Sequence, residues 1–161
     1  MSKVYLIGFM GTGKSAVGHR LRTQYEVDEL DERFEREQEK TIAAYFVEHG
    51  EAGFRTREGE LLKNSKAELV VTGGGIVERP ENRSFMKEAG TVIWIDTPFD
   101  LIWERIASDP NRPLVTEREQ VKQLFERRYS LYAEIATVRL EGTASIDELA
   151  RAIETVLEEK S

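Results

Sequence analysis

The sequence contains no cysteine, and it also lacks the features that mark secreted and membrane proteins. Without cysteine there is no disulfide, no thiol nucleophile and no thiolate metal site. No apolar run approaches the length of a membrane span, and the apolar segment that starts at Val4 is not preceded by the pattern of a signal peptide. We therefore expect a cytoplasmic protein without a membrane partner.

Positive charge is outnumbered by negative charge. The chain has 23 lysines and arginines against 30 aspartates and glutamates, so its net charge is −7. A nucleic-acid partner would require a basic surface, and this balance argues against one. A small anionic substrate needs only a local group of arginines and is not excluded. The two histidines, His19 and His49, have no ligand-spaced partners in the sequence and indicate no metal site.

Short apolar runs alternate with longer stretches of helical periodicity along the chain, which predicts a single domain over residues 1–161. Strands that alternate with helices form a parallel sheet covered on both faces, so the expected class is α/β with three layers, αβα. Ser145 and Glu148 form a capping box at the start of the last helix. The predicted strands are 4–7, 69–71, 91–95, 136–140 and the more polar 25–29, and the predicted helices are 15–24, 31–38, 41–49, 54–66, 98–107, 117–133 and 145–159.

Residues 8–15, GFMGTGKS, match the P-loop pattern G-x-x-x-x-G-K-[ST] in full, between a buried strand and a helix. The glycines let successive backbone N–H groups point at phosphate oxygens, and the helix that follows adds the positive end of its dipole. Lys14 is expected to neutralise the β- and γ-phosphates of ATP, and Ser15 to bind Mg²⁺ through its hydroxyl. The alternative is a glycine-rich turn that binds nothing, which the complete motif in this context disfavours.

Residues that follow other strands indicate an anionic alcohol as the acceptor. Asp31 begins a helix, where its carboxylate can take the proton of an attacking hydroxyl, although an aspartate there is also a common N-terminal helix residue. Arg55 can hold a carboxylate through two parallel hydrogen bonds, although an arginine that opens a charged helix is usually solvated. The turn Gly73–Gly75 ends a strand and allows a ligand to approach the backbone closely.

Two further arginines complete the candidate site. The polar, proline-bearing segment 109–117 separates two predicted helices and is expected to be a mobile lid. Arg112 on this lid is expected to face the transferring phosphate and offset its developing charge. Arg128 lies late in a long predicted helix, where a solvated position is the ordinary alternative.

Taken together, these motifs resemble the shikimate kinase family over nearly the whole chain. The P-loop, the Asp before the second helix, G-E-x-x-F-R at 50–55, the triple glycine, R-P-L at 112–114 and R-x-x-L-Y at 128–132 occur in the family's order and with about its spacing. The resemblance implies transfer of the γ-phosphate of ATP to the 3-hydroxyl of shikimate, in the pathway to chorismate and aromatic amino acids.

The resemblance also implies a fold and a set of site residues. The fold is the nucleoside-monophosphate-kinase type of P-loop NTPase, a monomer with five parallel strands in the order 2-3-1-4-5 and a lid. The implied catalytic residues are Asp31, Lys14 and Arg112. The implied ATP site, with Arg105 beside adenine, consists of Gly11, Thr12, Gly13, Lys14, Ser15, Ala16, Arg105 and Arg112. The implied shikimate site consists of Asp31, Arg55, Gly73, Gly74, Gly75 and Arg128.

One position departs from the family pattern. The family usually carries D-x-D, and its first Asp helps to position Mg²⁺, often through water. This chain has Glu29-Leu30-Asp31 instead, and the segment from Ser15 to Asp31 is about two residues shorter than is common. We expect Glu29, with its longer side chain, to act on the metal through a water molecule, while Asp31 binds the reacting hydroxyl. Asp28 is the next candidate for the metal.

Alternatives exist within this fold and outside it. A gluconate kinase or a nucleoside monophosphate kinase would share the P-loop. The triple glycine and the pair Arg55 and Arg128 favour a carboxylated acceptor over a nucleotide base, and R-x-x-L-Y is not an obvious feature of gluconate kinases. A non-catalytic nucleotide-binding module would retain the fold, but the intact P-loop, Asp31 and Arg112 weigh against it.

Overall fold

The computed structural model describes residues 3–108 and 118–160 of the chain. Within these ranges no helix combines the length and the apolar character needed to cross a membrane. In chain order, the strands and helices are β1 (Lys3–Ile7), α1 (Lys14–Leu21), β2 (Val27–Glu29), α2 (Leu30–Gln38), α3 (Ile42–Asn64), β3 (Leu69–Val71), a 3₁₀ helix (Ile76–Glu78), α4 (Pro80–Ala89), β4 (Gly90–Asp96), α5 (Phe99–Ala107), α6 (Arg118–Ile135), β5 (Val138–Glu141) and α7 (Ile146–Lys160).

These strands form a parallel sheet in the order β2-β3-β1-β4-β5. The predicted α/β fold of the nucleoside-monophosphate-kinase type is thereby confirmed. β1 lies in the centre, where Val4 is in register with Leu69 of β3 on one side and Thr91 of β4 on the other. Because the strands are parallel, the segments that follow them meet at one edge of the sheet, where ligands of such folds bind.

Helices cover both faces of the sheet, and alternate side chains of β1 enter two different cores. Val4 and Leu6 belong to a core with α1 and α7 whose buried members are all aliphatic. Tyr5 and Ile7 belong to the opposite core, which α2, α3, α4 and α6 supply with most of its aromatic side chains. All four of these β1 side chains are fully buried, as expected for a parallel sheet with both faces covered.

The structure differs from the sequence prediction in a few elements. Segments 41–49 and 54–66, predicted as two helices, are joined in α3, which begins at Ile42, ends at Asn64 and has a break in helical geometry at Gly50, whose φ is 76°. The sequence analysis missed α4, although Pro80 at its start is a common first residue of a helix. The capping box of α7 is confirmed, since Ser145 and Glu148 exchange two hydrogen bonds of 3.1 Å. The predicted lid 109–117, with Arg112, lies outside the described residues.

The helix that follows the P-loop lies very close to the sheet. Gly18 is buried on the inner face of α1, and a Cβ atom on it would stand 2.9 Å from Cγ2 of Val71 and 3.5 Å from Cγ1 of Val27. The β-branched side chain of Val71 has little freedom to turn away. Glycine at this position therefore allows the close approach of α1 to β2 and β3.

Gly18→Val should lower the free energy of unfolding by about 1–3 kcal/mol, because overpacking a tight contact has a cost of this size. Chemical denaturation of the purified protein measures the effect. Ala43→Val is the control, since Ala43 is exposed on α3 and the change should cost less than about 1 kcal/mol, from helix propensity alone. Equal stability of the Gly18→Val and wild-type proteins would contradict the close packing.

Candidate active site

A cleft of about 490 Å³ lies at the edge of the sheet where the strands end. It is lined by the predicted ATP-binding residues that fall within the described ranges, namely Gly11, Thr12, Gly13, Lys14, Ser15, Ala16 and Arg105. Asp31, Gly73 and Gly74 of the predicted acceptor site line it as well. The structure therefore brings the predicted nucleotide residues and part of the acceptor site into one cavity.

The P-loop turns directly from β1 into α1. Gly13 caps the helix with a φ of 95°, in the left-handed region that favours glycine. The hydroxyl of Thr12 donates a hydrogen bond of 3.0 Å to the carbonyl of Phe9, which holds the loop from within. The first N–H groups of a helix have no partner inside the helix, so this geometry suits the binding of phosphate oxygens.

Two cations flank the loop. Lys14 is only 8 % exposed, and its Nζ donates to the carbonyls of Gly8 and Phe9 at 2.5 and 3.0 Å. Arg105, which reaches the loop from α5, donates from Nη1 to the carbonyl of Gly11 at 2.8 Å. Both side chains thus bring positive charge to the wall of the cleft that would face a nucleotide.

Another part of the cleft was not predicted from the sequence. It is formed by the turn after β5 and the start of α7, through Gly142, Ala144, Ile146 and Leu149. These small and apolar groups suit a flat aromatic base better than a phosphate. The available signal was their position, because they directly follow a strand at the ligand-binding edge of the sheet.

The residues predicted to hold a metal lie side by side. Ser15 Oγ is 3.3 Å from Glu29 Oε2, to which it donates, and Glu29 Oε1 accepts the backbone N–H of Asp31, also at 3.3 Å. Burial raises the pKa of Glu29 to about 7, and the neighbouring Asp31 adds to this effect. A hydroxyl and a carboxylate are oxygen donors of the kind that Mg²⁺ prefers, so the pair fits this metal. Asp28, in contrast, accepts a hydrogen bond of 2.5 Å from Ser65 and is engaged elsewhere.

His19 has neighbours that its sequence context does not reveal. It contacts Glu32, and the possible ligand atoms of His19, Glu29 and Glu32 all lie within 4.8 Å of one another. Arg22 also pairs with Glu32 at 3.0 Å, so this carboxylate already has cationic and polar partners. The grouping arises where α1 passes the start of α2, and the spacing of residues along the chain does not show it.

The predicted acceptor residues converge on the triple glycine, Gly73–Gly75. A Cβ atom on the first glycine would lie 2.9 Å from Oδ1 of Asp31, and one on the third would lie 2.2 Å from Nη2 of Arg55. A Cβ atom on the middle glycine would lie 3.5 Å from Nη1 of Arg128. The three side chains therefore surround this turn so closely that the outer two positions have no room for a side chain.

Arg55 is buried together with a carboxylate to which the sequence analysis gave no role. Its Nη1 donates to Oε1 of Glu58 at 2.9 Å, and Glu58 is only 2 % exposed. Burial raises the pKa of Glu58 to about 7, although Arg55 acts in the opposite direction. Because a guanidinium has five N–H donors, Arg55 keeps donors for a second carboxylate.

Arg128 and Tyr132 lie one helical turn apart on α6 and face the same turn. Arg128 is 7 % exposed, so the solvated alternative is wrong for it, as it is for Arg55 at 9 %. The hydroxyl of Tyr132 donates a hydrogen bond of 2.6 Å to the carbonyl of Gly74 and fixes the middle of the glycine turn. Burial raises the pKa of Tyr132, so the hydroxyl keeps the proton that it donates. The spacing R-x-x-L-Y thus places both functional groups on one helix face.

Comparison with known proteins shows what this arrangement is similar to. A family model described as shikimate kinase matches residues 10–158. The shikimate kinase of Persephonella marina is 42 % identical over 146 residues, which cover 87 % of this chain and 88 % of that protein. The structure of a shikimate kinase from Acinetobacter baumannii in complex with shikimate has a TM-score of 0.88 at 34 % identity and covers 100 % of this chain and 95 % of its own. The crystal structure of the shikimate kinase of Aquifex aeolicus has a TM-score of 0.84 at 34 % identity, and the match covers 98 % of this chain and 97 % of the Aquifex chain. The chain therefore belongs to the shikimate kinase family.

Proposed function

We propose that this chain transfers the γ-phosphate of ATP to the 3-hydroxyl of shikimate and releases ADP and shikimate 3-phosphate. Membership of the family supports the reaction. The observation that supports the residue assignment is the convergence of Asp31, Arg55 and Arg128 on the triple glycine, next to the P-loop. The alternatives of a gluconate kinase, a nucleotide kinase and a non-catalytic module lack this support.

In this proposal, the nucleotide is held mainly by the P-loop. Its N–H groups and Lys14 bind the β- and γ-phosphates, and Arg105 lies beside the adenine. Mg²⁺, held by Ser15 and through water by Glu29, neutralises phosphate charge when it is bound. Arg112 is assigned to the transferring phosphate from the sequence alone, since it lies outside the described residues.

The acceptor is held at its two ends by groups of opposite charge. Arg55 and Arg128 bind the carboxylate of shikimate through charge-assisted hydrogen bonds. Asp31 accepts the proton of the attacking hydroxyl and aligns its oxygen with the γ-phosphate. Glu29 steadies Asp31, because its carboxylate accepts the Asp31 N–H at the start of α2.

The proposal also includes the use of Mg²⁺, a monomeric state and a cytoplasmic location. Its partners are ATP and shikimate, without nucleic acid or membrane. The net charge of −7 and the local arginine pair are consistent with a small anionic acceptor.

With MgATP, shikimate should raise the rate of ADP release well above the background with ATP alone, which a coupled assay measures. Gluconate and nucleoside monophosphates should give only the background rate, because neither fits a site built for a ring carboxylate and a hydroxyl. Turnover of one of these compounds, with none on shikimate, would overturn the proposal.

Replacing either Arg55 or Arg128 with Met keeps bulk but removes the charged fork. Loss of a charge-assisted contact should reduce transition-state stabilisation by about 2 kcal/mol or more. The kcat/KM for shikimate should therefore fall roughly 30-fold or more. The affinity for ATP, measured by calorimetry, should hardly change. Arg57→Met is the matched control, because Arg57 lies on the same helix but pairs with Glu37 and Glu60 near the surface. An equal loss of ATP binding in both variants, with the fold intact, would refute the assignment.

Removing the charge of Asp31 and removing the charge of Glu29 should change different kinetic properties of the enzyme. Asp31→Asn should lower kcat by about 10²–10⁴-fold, the usual contribution of a general base, and added Mg²⁺ should not restore it. Glu29→Gln should raise the Mg²⁺ concentration needed for half-maximal activity, with partial rescue at high Mg²⁺. Asp28→Asn should leave this Mg²⁺ dependence unchanged. The division of roles is wrong if Mg²⁺ rescues Asp31→Asn and Glu29→Gln behaves like the wild type.

A further inference from the structure

The 3₁₀ helix after the triple glycine presents a carboxylate to α6. Glu78, its last residue, accepts a hydrogen bond at Oε2 from Nε of Arg128 at 2.8 Å and another from Nη2 of Arg127 at 2.6 Å. The side chains of Glu78 and Arg128 are 17 % and 8 % exposed, whereas that of Arg127 is 62 % exposed. One carboxylate thus joins a buried arginine to a surface arginine.

The hydrogen bond from Arg128 uses only one edge of the guanidinium. Its donor is Nε, so the two terminal nitrogens, Nη1 and Nη2, are not used by Glu78. Nη1 points towards the glycine turn, since it lies 3.5 Å from the position of a Cβ atom on Gly74. Glu78 therefore holds Arg128 through Nε and leaves Nη1 on the side of the glycine turn.

The charges of this cluster favour an anionic ligand. Burial alone would raise the pKa of Glu78, but the hydrogen bonds from Arg127 and Arg128 outweigh it and lower this pKa below its usual value. Glu78 is therefore ionised at neutral pH. Because Arg127 compensates the charge of Glu78, the cluster keeps a net positive charge at Arg128.

We infer that Glu78 is a positioning residue for Arg128, which it orients so that the terminal nitrogens meet the carboxylate of the acceptor. The inference rests on the proposed function, in which Arg128 binds the carboxylate of shikimate. A free arginine loses much rotational entropy when it is ordered by a ligand. Glu78 imposes this order before the ligand arrives, and preorganisation of this kind increases affinity.

The direct test compares two substitutions of Glu78. Glu78→Ala removes the acceptor of the Arg128 hydrogen bond and should lower kcat/KM for shikimate by about tenfold, mainly through KM, with the KM for ATP unchanged. Glu78→Gln keeps an oxygen acceptor and should stay within about threefold of the wild type. Thermal melting shows whether each variant is folded.

Glu134→Ala is the matched control. Glu134 also pairs with an arginine across α4 and α6, since its Oε2 lies 3.2 Å from Nε of Arg83, but neither residue belongs to the acceptor site. Its loss should leave the KM for shikimate unchanged. A general effect of removing an ion pair from this helix would appear in both alanine variants.

A double-mutant cycle separates positioning from a merely structural role. If Glu78 acts through Arg128, Glu78→Ala in the Arg128→Met background should change kcat/KM for shikimate by less than about twofold. The same tenfold loss in both backgrounds, or an unchanged or lowered KM in Glu78→Ala alone, would overturn the inference. If the wild type does not turn over shikimate, the proposed function fails as well. If the wild type and Arg128→Met behave as proposed while Glu78→Ala behaves like Glu134→Ala, only the inference about Glu78 fails.

Discussion

The site depends on a steric constraint, the lack of room for side chains in the turn that follows β3. At Gly73 and Gly75 the space of a Cβ atom is taken by the carboxylate of Asp31 and the guanidinium of Arg55. These groups come from α2 and α3, which are held on one face of the sheet by a shared aromatic core. Two separate helices, α2 and α3, therefore each place a charged side chain against the same turn. A side chain at either glycine would displace the carboxylate of Asp31 or the guanidinium of Arg55.

A second constraint concerns charge. Burying an arginine without a partner is very costly, whereas an arginine fully paired with carboxylates has little attraction left for a ligand. Each buried arginine is hydrogen-bonded to one carboxylate, Glu58 for Arg55 and Glu78 for Arg128, and Arg55 also lies 3.6 Å from the more exposed Glu51. Each guanidinium retains unused donors. In the proposed function, this partial neutralisation lowers the cost of burying the two arginines and leaves them able to bind the carboxylate of the acceptor.

The sequence predicted contiguous features well and long-range ones poorly. The P-loop and the glycine turn were found because the residues that form them are adjacent in the chain. The polar strand predicted at 25–29 is present as β2, although it is shorter and spans only Val27–Glu29. The contacts of Glu78 and Tyr132 join residues 50 and 58 positions apart, and these depend on how α6 packs against the 3₁₀ helix. No local pattern encodes that packing, so their contributions emerged only from the structure.

The unequal distribution of aromatic residues between the two cores has a spectroscopic consequence. The buried core beneath α1 and α7 is aliphatic, and both tryptophans of the chain lie on the other side of the molecule. Trp94 packs against Tyr129 and Tyr132, with ring centroids 4.9 and 6.1 Å away, and Trp103 stacks over Phe99. Intrinsic tryptophan emission therefore originates beside α5 and α6, the two helices that flank residues 109–117 in the chain. Tryptophan fluorescence therefore reports on the surroundings of α5 and α6, and it does not report directly on the core beneath α1.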